Sequence, residues 1–268
     1  MDRTVDRRGG MVSPAWRAFA AEIGRWRDSG RTVDFWWRDD DATCVTPALA
    51  RLLELAAEAD VPLALAVIPE GADPPLFSML GSGIDVLQHG VDHRNRAVLG
   101  EKKTEFPAEE PAEAALKRLA EGKRRLAALA GTRSLAVLTP PWNRLASPVL
   151  LRLVGGGGFY GLSCYGARSA AQPVPGLAQV NTHIDLVAWK SGRGFIGEEM
   201  ALSLATRHLE ARRRGTVDPV EPTGWLTHHA CHDEAAWGFL GRLFETLGAE
   251  KGVRWRRARD LFAGTPPR

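Results

Sequence analysis

The chain has 268 residues, a length at which an α/β protein can bury one large core in a single domain. Its 35 lysine and arginine residues nearly balance its 32 acidic residues, which argues against a nucleic-acid-binding protein. No segment reaches the roughly 20 apolar residues of a membrane span, and no signal-like segment follows the charged N-terminus, so we expect a cytoplasmic protein. Three widely spaced cysteines without a Cys-x-x-Cys pair indicate free thiols.

The first predicted element is an amphipathic helix that begins at Ser13-Pro14, where a serine cap precedes a proline at the first helical position. Apolar residues recur at helical spacing until about Gly30. We therefore assign residues 1–30 to an N-terminal helical extension and residues 31–268 to the main domain.

A strand rich in β-branched and aromatic residues is predicted over residues 33–37, and it runs directly into Arg38-Asp39-Asp40-Asp41. Three adjacent carboxylates at the end of a strand repel one another. A bound cation would relieve that repulsion. The alternative interpretation is that these aspartates only cap the next helix.

The next predicted elements are a helix over residues 47–59 and a continuous apolar strand over residues 61–68, which together with the first strand form a β-α-β unit. After a loop with a short helix, a third apolar strand over residues 84–87 leads into Gln88-His89-Gly90-Val91-Asp92-His93. This strand therefore delivers two histidines to its end.

His89 and His93 are four residues apart, a spacing that places two rings on one side of a helical turn. Neutral imidazole is a ligand for zinc, iron, cobalt and nickel, and two rings supply about half of a first coordination shell. We expect a third, anionic ligand from elsewhere in the chain. The alternative is that one histidine caps a helix and the other lies on the surface.

The second half of the chain repeats this alternation. A strand over residues 134–138 follows a long amphipathic helix and runs into Thr139-Pro140-Pro141-Trp142-Asn143-Arg144. Further helices are predicted over residues 147–154, 198–214, 234–247 and 258–262, and further strands over residues 159–164, 179–187, 224–227 and 253–255.

Two more polar clusters accompany these later strands: Asp185 lies within residues 179–187, and His228-His229 follows residues 224–227. Strands that alternate with helices indicate a parallel sheet, and about seven such units favour a closed or nearly closed barrel. In β/α barrels the chemistry lies at the carboxyl ends of the strands. The sequence thus predicts one α/β domain with a polar site at that rim.

Five motifs, in order and position, resemble those of the polysaccharide deacetylases, which are metal-dependent carbohydrate esterases built on the NodB homology domain. They are Arg38-Asp39-Asp40-Asp41, His89 with His93, Thr139-Pro140-Pro141-Trp142, Asp185, and Leu226-Thr227-His228. The resemblance covers about residues 33–235. It implies a distorted (β/α)7-type barrel and a hydrolase that removes an N-acetyl or other amide-linked acyl group from an amino sugar or glycan precursor.

The resemblance also implies a metal site. In the family, the first carboxylate of an aspartate pair is a general base, and the second binds a divalent metal together with two histidines. We place the base at Asp40 and the ligands at Asp41, His89 and His93, with Asp39 and Asp40 as the alternative register. Zinc is the expected ion, and cobalt, nickel or iron(II) are alternatives.

The remaining roles follow the same resemblance. His228 would protonate the leaving amine, and Asp185 would orient that imidazole, although His229 and His232 compete with His228 for the acid role. Four further residues are expected to contact the carbohydrate substrate: Arg38, Pro141, Trp142 and Asn143.

Thr139 departs from the family, which usually has an arginine there that orients the base aspartate; Arg38 or Arg144 could replace it. The departure leaves open a degenerate domain that binds glycan without hydrolysis. A hydrolase of another non-peptide C–N bond is a further alternative, because related barrels also hydrolyse bonds that are not acetamides. The same ligands would suit an iron(II) oxygenase, but those sites lie on antiparallel frameworks.

An expected cytoplasmic location favours a nucleotide-linked or lipid-linked amino sugar, or a small acylated amine, as substrate.

Overall fold

The computed structural model describes residues 13–263. The predicted helical extension and main domain reach beyond this range, and their parts at residues 1–12 and 264–268 lie outside the described residues. None of the helices in the described part is both long enough and apolar enough to cross a membrane. The helices are α1 (Pro14–Asp28), α2 (Pro47–Glu58), α3 (Pro74–Ser78), α4 (Ala112–Ala130), α5 (Ser147–Leu150), α6 (Glu198–Arg214), α7 (Glu234–Gly248) and α8 (Ala258–Phe262).

The strands form one parallel sheet in the order β6-β5-β4-β3-β2-β1-β8-β7, and β9 pairs with the first residues of β1. This order matches the predicted alternation, because each of the first strands lies beside its successor in the chain. The strands are β1 (Val33–Ala42), β2 (Leu63–Val67), β3 (Ile84–His89), β4 (Ser134–Thr139), β5 (Gly161–Leu162), β6 (Ala178–Gln179), β7 (Ile184–Asp185), β8 (Thr223–Thr227) and β9 (Val253–Trp255).

The segment from β6 to β7 joins the two ends of the sheet. Its first half donates backbone hydrogen bonds to the β5 region, as from Val180 to the Leu162 carbonyl (3.1 Å). Its second half donates to β8, from His183 to the Gly224 carbonyl (2.7 Å). The predicted single strand over residues 179–187 is therefore two short strands, because the segment changes partner midway. The sheet curls toward a barrel as a result.

The interior of the curled sheet is apolar in its amino-terminal half. Trp36 of β1 packs there against Phe262 of α8, with ring centroids 6.1 Å apart. Gly161 leaves room for that ring, since a Cβ at this position would lie 2.7 Å from Phe262. Buried Asp85 accepts hydrogen bonds from the backbone and side chain of Arg259, which docks α8 at this end. The polar clusters predicted from the sequence lie instead at the opposite, carboxyl ends of the strands.

Candidate active site

The charged residues at the end of β1 include a β-bulge. Asp39 pairs with Leu65 of β2 and Ala42 pairs with Val67, so β1 has one extra residue between these pairs. Asp41 adopts a left-handed φ of 73°. A bulge of this kind interrupts the alternation of side chains along a strand. Consecutive carboxylates, Asp40 and Asp41, consequently both act on the pKa of His89.

Asp41, His89 and His93 converge on one point at the carboxyl end of the sheet. The Oδ1 atom of Asp41 lies 3.0 Å from Nε2 of His89 and 3.3 Å from Nε2 of His93. That oxygen is buried and accepts no hydrogen bond of good geometry from either ring. One carboxylate oxygen and two imidazole nitrogens are a suitable donor set for a divalent cation.

Hydrogen bonding fixes the tautomer of His89. Its Nδ1 lies 3.0 Å from the carbonyl oxygen of Thr139, which can only accept, so Nδ1 carries the proton. Nε2 then presents its lone pair toward Asp41, as a metal-binding histidine requires. Burial lowers the pKa of His89, but the carboxylates of Asp40 and Asp41 outweigh burial and the net shift is upward. A cation at this point would therefore replace a proton that the carboxylates attract.

The predicted helical turn between the two histidines is wrong. His89 is the last residue of β3, and His93 lies in the following loop. Gly90 and His93 have left-handed φ values of 57° and 55°, which reverse the chain without forming a helix. The rings still approach to 5.1 Å between centroids, because the loop folds back over the end of the strand.

Asp40 is held by a buried arginine from its own strand. Nη2 of Arg38 donates a hydrogen bond to Oδ2 of Asp40 at 2.9 Å, and Nε lies 2.8 Å from Oδ1 in an ion-pair contact that lacks hydrogen-bond geometry. Arg38 is 0% exposed and also donates to Oγ of Ser163 (2.6 Å) and Oδ1 of Asn143 (3.1 Å). The guanidinium is therefore fixed, and it fixes the Asp40 carboxylate in turn.

These contacts differ from the predicted substrate contacts of Arg38 and Asn143, because the guanidinium is fully buried and the amide oxygen of Asn143 is bonded to it. Arg144, the other candidate to orient Asp40, donates instead to the Lys103 carbonyl (2.8 Å). Thr139 contributes its carbonyl oxygen to His89 while its buried hydroxyl has no hydrogen-bond partner. Arg38, and not Thr139 or Arg144, thus contacts and orients the Asp40 carboxylate.

Asp39 faces away from the histidine pair and is fully buried. Its Oδ1 lies 2.5 Å from Nδ1 of His229, and its Oδ2 accepts from the His229 backbone (2.9 Å) and the Thr227 hydroxyl (2.7 Å). The alternative register, with Asp39 and Asp40 as the functional pair, would leave His89 and His93 without their carboxylate. The geometry therefore favours Asp40 and Asp41.

Asp39→Asn is expected to lower the free energy of unfolding by roughly 3–5 kcal/mol, the usual cost of breaking a buried ion pair. Burial raises the pKa of Asp39, but His229 outweighs burial and the net shift is downward. Asp39 raises the pKa of His229 in turn, so each group favours the charged form of the other. Urea unfolding would measure the change. Glu210→Gln, which breaks an exposed pair with Arg214, is the control and should cost about 0.5 kcal/mol. A loss below about 1 kcal/mol for Asp39→Asn would contradict the prediction.

His228 follows β8, with Nδ1 3.8 Å from Oδ1 of Asp185. This distance is within ion-pair range but longer than a hydrogen bond. Asp185 is itself oriented by Trp189, whose indole nitrogen donates to Oδ2 at 2.7 Å. The Trp189 ring meets His228 edge to face at 4.8 Å and remains 46% exposed. Sequence reasoning missed Trp189, although a tryptophan four residues after Asp185 was an available signal.

The two other histidines near His228, which are His229 and His232, have different contacts. His229 pairs with Asp39, and the ring of His232 packs against Trp237 with centroids 4.5 Å apart. Burial lowers the pKa of His232 to about 4. Among the three candidates for the acid, His228 is the one beside Asp185.

Trp142 forms a wall on the opposite side, with its ring 4.5 Å from that of His93. Pro141 is buried beside the loop of the histidine pair, since a Cβ on Gly90 would lie 2.6 Å from its ring. Trp142 and Trp189 thus flank the polar group from the His93 side and the His228 side. The resulting site has two aromatic walls around charged side chains.

A second cluster, His183, His208 and Glu221, also places its nitrogen and oxygen atoms within 4.8 Å of one another. The Gly224 amide donates to Nδ1 of His183 (3.0 Å), so the proton of that ring is on Nε2, which faces Glu221 Oε2 at 3.4 Å. The rings of His183 and His208 stack at 3.6 Å, and lone pairs of stacked rings do not converge. This cluster, at the amino end of β8, fits an internal polar contact better than a metal site.

Comparison with known proteins gave matches among solved structures. No family model and no curated protein matches the chain. A peptidoglycan N-acetylglucosamine deacetylase, Bc1960, is 12% identical with a TM-score of 0.56, covering 92% of this chain and 100% of that one. A family 4 acetyl xylan esterase from Clostridium thermocellum in complex with cobalt is 12% identical with a TM-score of 0.52, covering 86% and 90%.

A third similar structure, the allantoinase PuuE, is 17% identical with a TM-score of 0.59, and covers 82% of this chain and 74% of that one. Likeness at such identities concerns the fold and leaves the activity open. The similar structures and the curled parallel sheet together confirm the predicted fold: the chain is a single-domain, NodB-type β/α barrel.

Proposed function

We propose that the chain is a metal-dependent hydrolase that removes an acyl group from the amide nitrogen of an amino sugar or glycan precursor. The observation that carries this proposal is the convergence of Asp41, His89 and His93 beside a separate carboxylate, Asp40, which Arg38 holds in place. The likeness to deacetylases and to an allantoinase supports hydrolysis of C–N bonds at the level of the fold.

Asp41, His89 and His93 would hold the cation, for which zinc is the simplest choice and cobalt, nickel and iron(II) are alternatives. Two histidines and one carboxylate leave open positions for water and substrate. When bound, the cation polarises the amide carbonyl and lowers the pKa of a water molecule at the site.

Asp40 is the proposed general base. Arg38 donates a hydrogen bond to Oδ2 of Asp40, whereas Oδ1 accepts no hydrogen bond and so has lone pairs free to take a proton from water. Because Arg38 is bonded to Ser163 and Asn143 as well, the carboxylate cannot rotate freely. Fixed orientation is what an efficient proton acceptor needs.

His228 is the proposed acid that protonates the leaving amine. The Asp185 carboxylate, 3.8 Å away, would stabilise its protonated ring, and Trp189 holds that carboxylate from the other side. Trp142 and Trp189 would contact the apolar C–H face of a sugar ring, as aromatic side chains do. The substrate would then lie between His93 and His228.

The test is the metal content of the purified protein, together with acetate release from a panel of N-acetylated sugars and nucleotide sugars. We expect about one divalent ion per chain and acetate release that is lost after chelation and restored by the ion. Allantoin belongs in the panel as a non-acetyl amide. Turnover of allantoin alone would point to another C–N bond, and glycan binding without release to a non-catalytic domain. Absence of a metal would overturn the proposal.

A further inference from the structure

Glu105 is a fully buried carboxylate that contacts the loop between the two histidines. We propose that Glu105 is a positioning residue that sets the place of His93, and so the affinity of the site for its cation. This inference rests on the proposed metal site, and it concerns a residue outside every motif identified in the sequence.

Glu105 accepts hydrogen bonds from two of the three backbone amides that lie between the histidines. Its Oε1 accepts from the amide of Val91 at 2.9 Å and from that of Asp92 at 3.2 Å. Successive amides that point at one oxygen hold a chain in a defined turn. One side chain therefore holds both backbone amides immediately before His93.

Gly90 shows how closely the loop lies against this carboxylate. A Cβ at Gly90 would be 2.0 Å from Oε2 of Glu105 and 2.6 Å from the ring of Pro141. Its φ of 57° also favours glycine. The loop thus passes between Glu105 and Pro141 without room to shift toward either.

The segment that carries Glu105 is also bonded to the loop after β4. Arg144 donates to the Lys103 carbonyl (2.8 Å), Thr104 donates to the Arg144 carbonyl (3.3 Å), and Ala146 donates to the Phe106 carbonyl (3.2 Å). The loop after β4 also carries Trp142, whose ring packs on His93. The segment that carries Glu105 therefore contacts both the loop that carries His93 and the loop that carries Trp142.

The positioning role of Glu105 requires a side-chain oxygen that accepts hydrogen bonds from the two amides. A neutral side chain of the same shape can supply that oxygen. Oε2 of Glu105 has no hydrogen-bond partner, and Arg96 approaches Oε1 only to 3.9 Å because it pairs with Asp92. Burial raises the pKa of Glu105 to about 7. Glutamine is accordingly a close substitute, whereas alanine removes the acceptor.

The experiment measures the cobalt(II) affinity of the full chain by competition with a chromophoric chelator, with the cobalt absorption spectrum as a second readout. Glu105→Ala is expected to weaken binding roughly 10–100-fold, as loss of an outer partner of a metal ligand does, and to alter the spectrum. Glu105→Gln should bind close to wild type. Glu109→Ala, an exposed glutamate on the same connection, is the control and should bind as wild type.

Wild-type affinity in Glu105→Ala, or an equal loss in Glu105→Gln and Glu105→Ala, would overturn the inference. If Glu105→Ala does not fold, Glu105→Asp replaces it, because its shorter side chain cannot reach both amides and should still weaken binding. Cobalt binding without hydrolysis of any substrate would overturn the proposed function and leave this inference standing. A wild-type chain that binds no cobalt would overturn both.

Discussion

His93→Ala is expected to lose the bound ion and, with it, all measurable hydrolysis. His93 contributes one of three ligands, so its removal should weaken binding by more than the roughly 10–100-fold typical of an outer partner. The side chain of His93 is 27% exposed, whereas His89 is buried and bonded to Thr139, so His93→Ala removes a ligand with little damage to the core. Elemental analysis after dialysis and acetate release at saturating substrate would measure both effects.

His208→Ala is the matched control, because it removes another histidine from a polar cluster at the opposite end of β8. We expect it to keep its ion. Loss of the ion in His208→Ala with retention in His93→Ala would reverse our assignment of the two clusters. Retention of ion and activity in both would exclude His93 as a ligand.

Asp40→Asn is expected to lower kcat roughly 10²–10⁴-fold, the contribution of a positioned general base, while the ion stays bound. Asparagine keeps the shape of the side chain, but its amide oxygen is a far weaker proton acceptor. The amide nitrogen of asparagine is a donor and would face the N–H donors of Arg38 without an acceptor between them. Some loss of thermal stability should therefore accompany the substitution.

The measurement for Asp40→Asn is kcat at full metal occupancy, with ion content determined on the same sample. Loss of the ion would show that Asp40 is a ligand and favour the other register of the aspartates. A kcat within a few fold of wild type would exclude Asp40 as the general base.

Much of the fold followed from local patterns. The apolar run over residues 84–87 and its polar continuation predicted a buried strand that ends at His89, and β3 ends there. The same alternation placed each polar cluster at the carboxyl end of a strand, because side-chain period and turn chemistry are local properties. Motif order then brought Asp41, His89 and His93 together, as the structure does.

What the sequence could not supply depends on contacts between distant residues. The bulge at Asp41 arises from pairing with β2, and only that pairing shows why Asp39 goes to His229 while Asp41 goes to the other histidines. The spacing of His89 and His93 suggested a helix, but Glu105, which fixes a loop there, lies outside the local pattern. Long-range hydrogen bonds of this kind leave no periodic signal.

The pairing of Arg38 with Asp40 has a consequence for how the barrel can vary. Both residues lie on one face of the same strand, two positions apart, so their contact closes no loop and survives movement elsewhere in the chain. Rim loops other than the one that carries Asn143 are then free to lengthen, shorten or open for a bulky ligand without releasing the carboxylate. A scaffold with this arrangement could accept new rim loops by grafting while its central acid group stays in register.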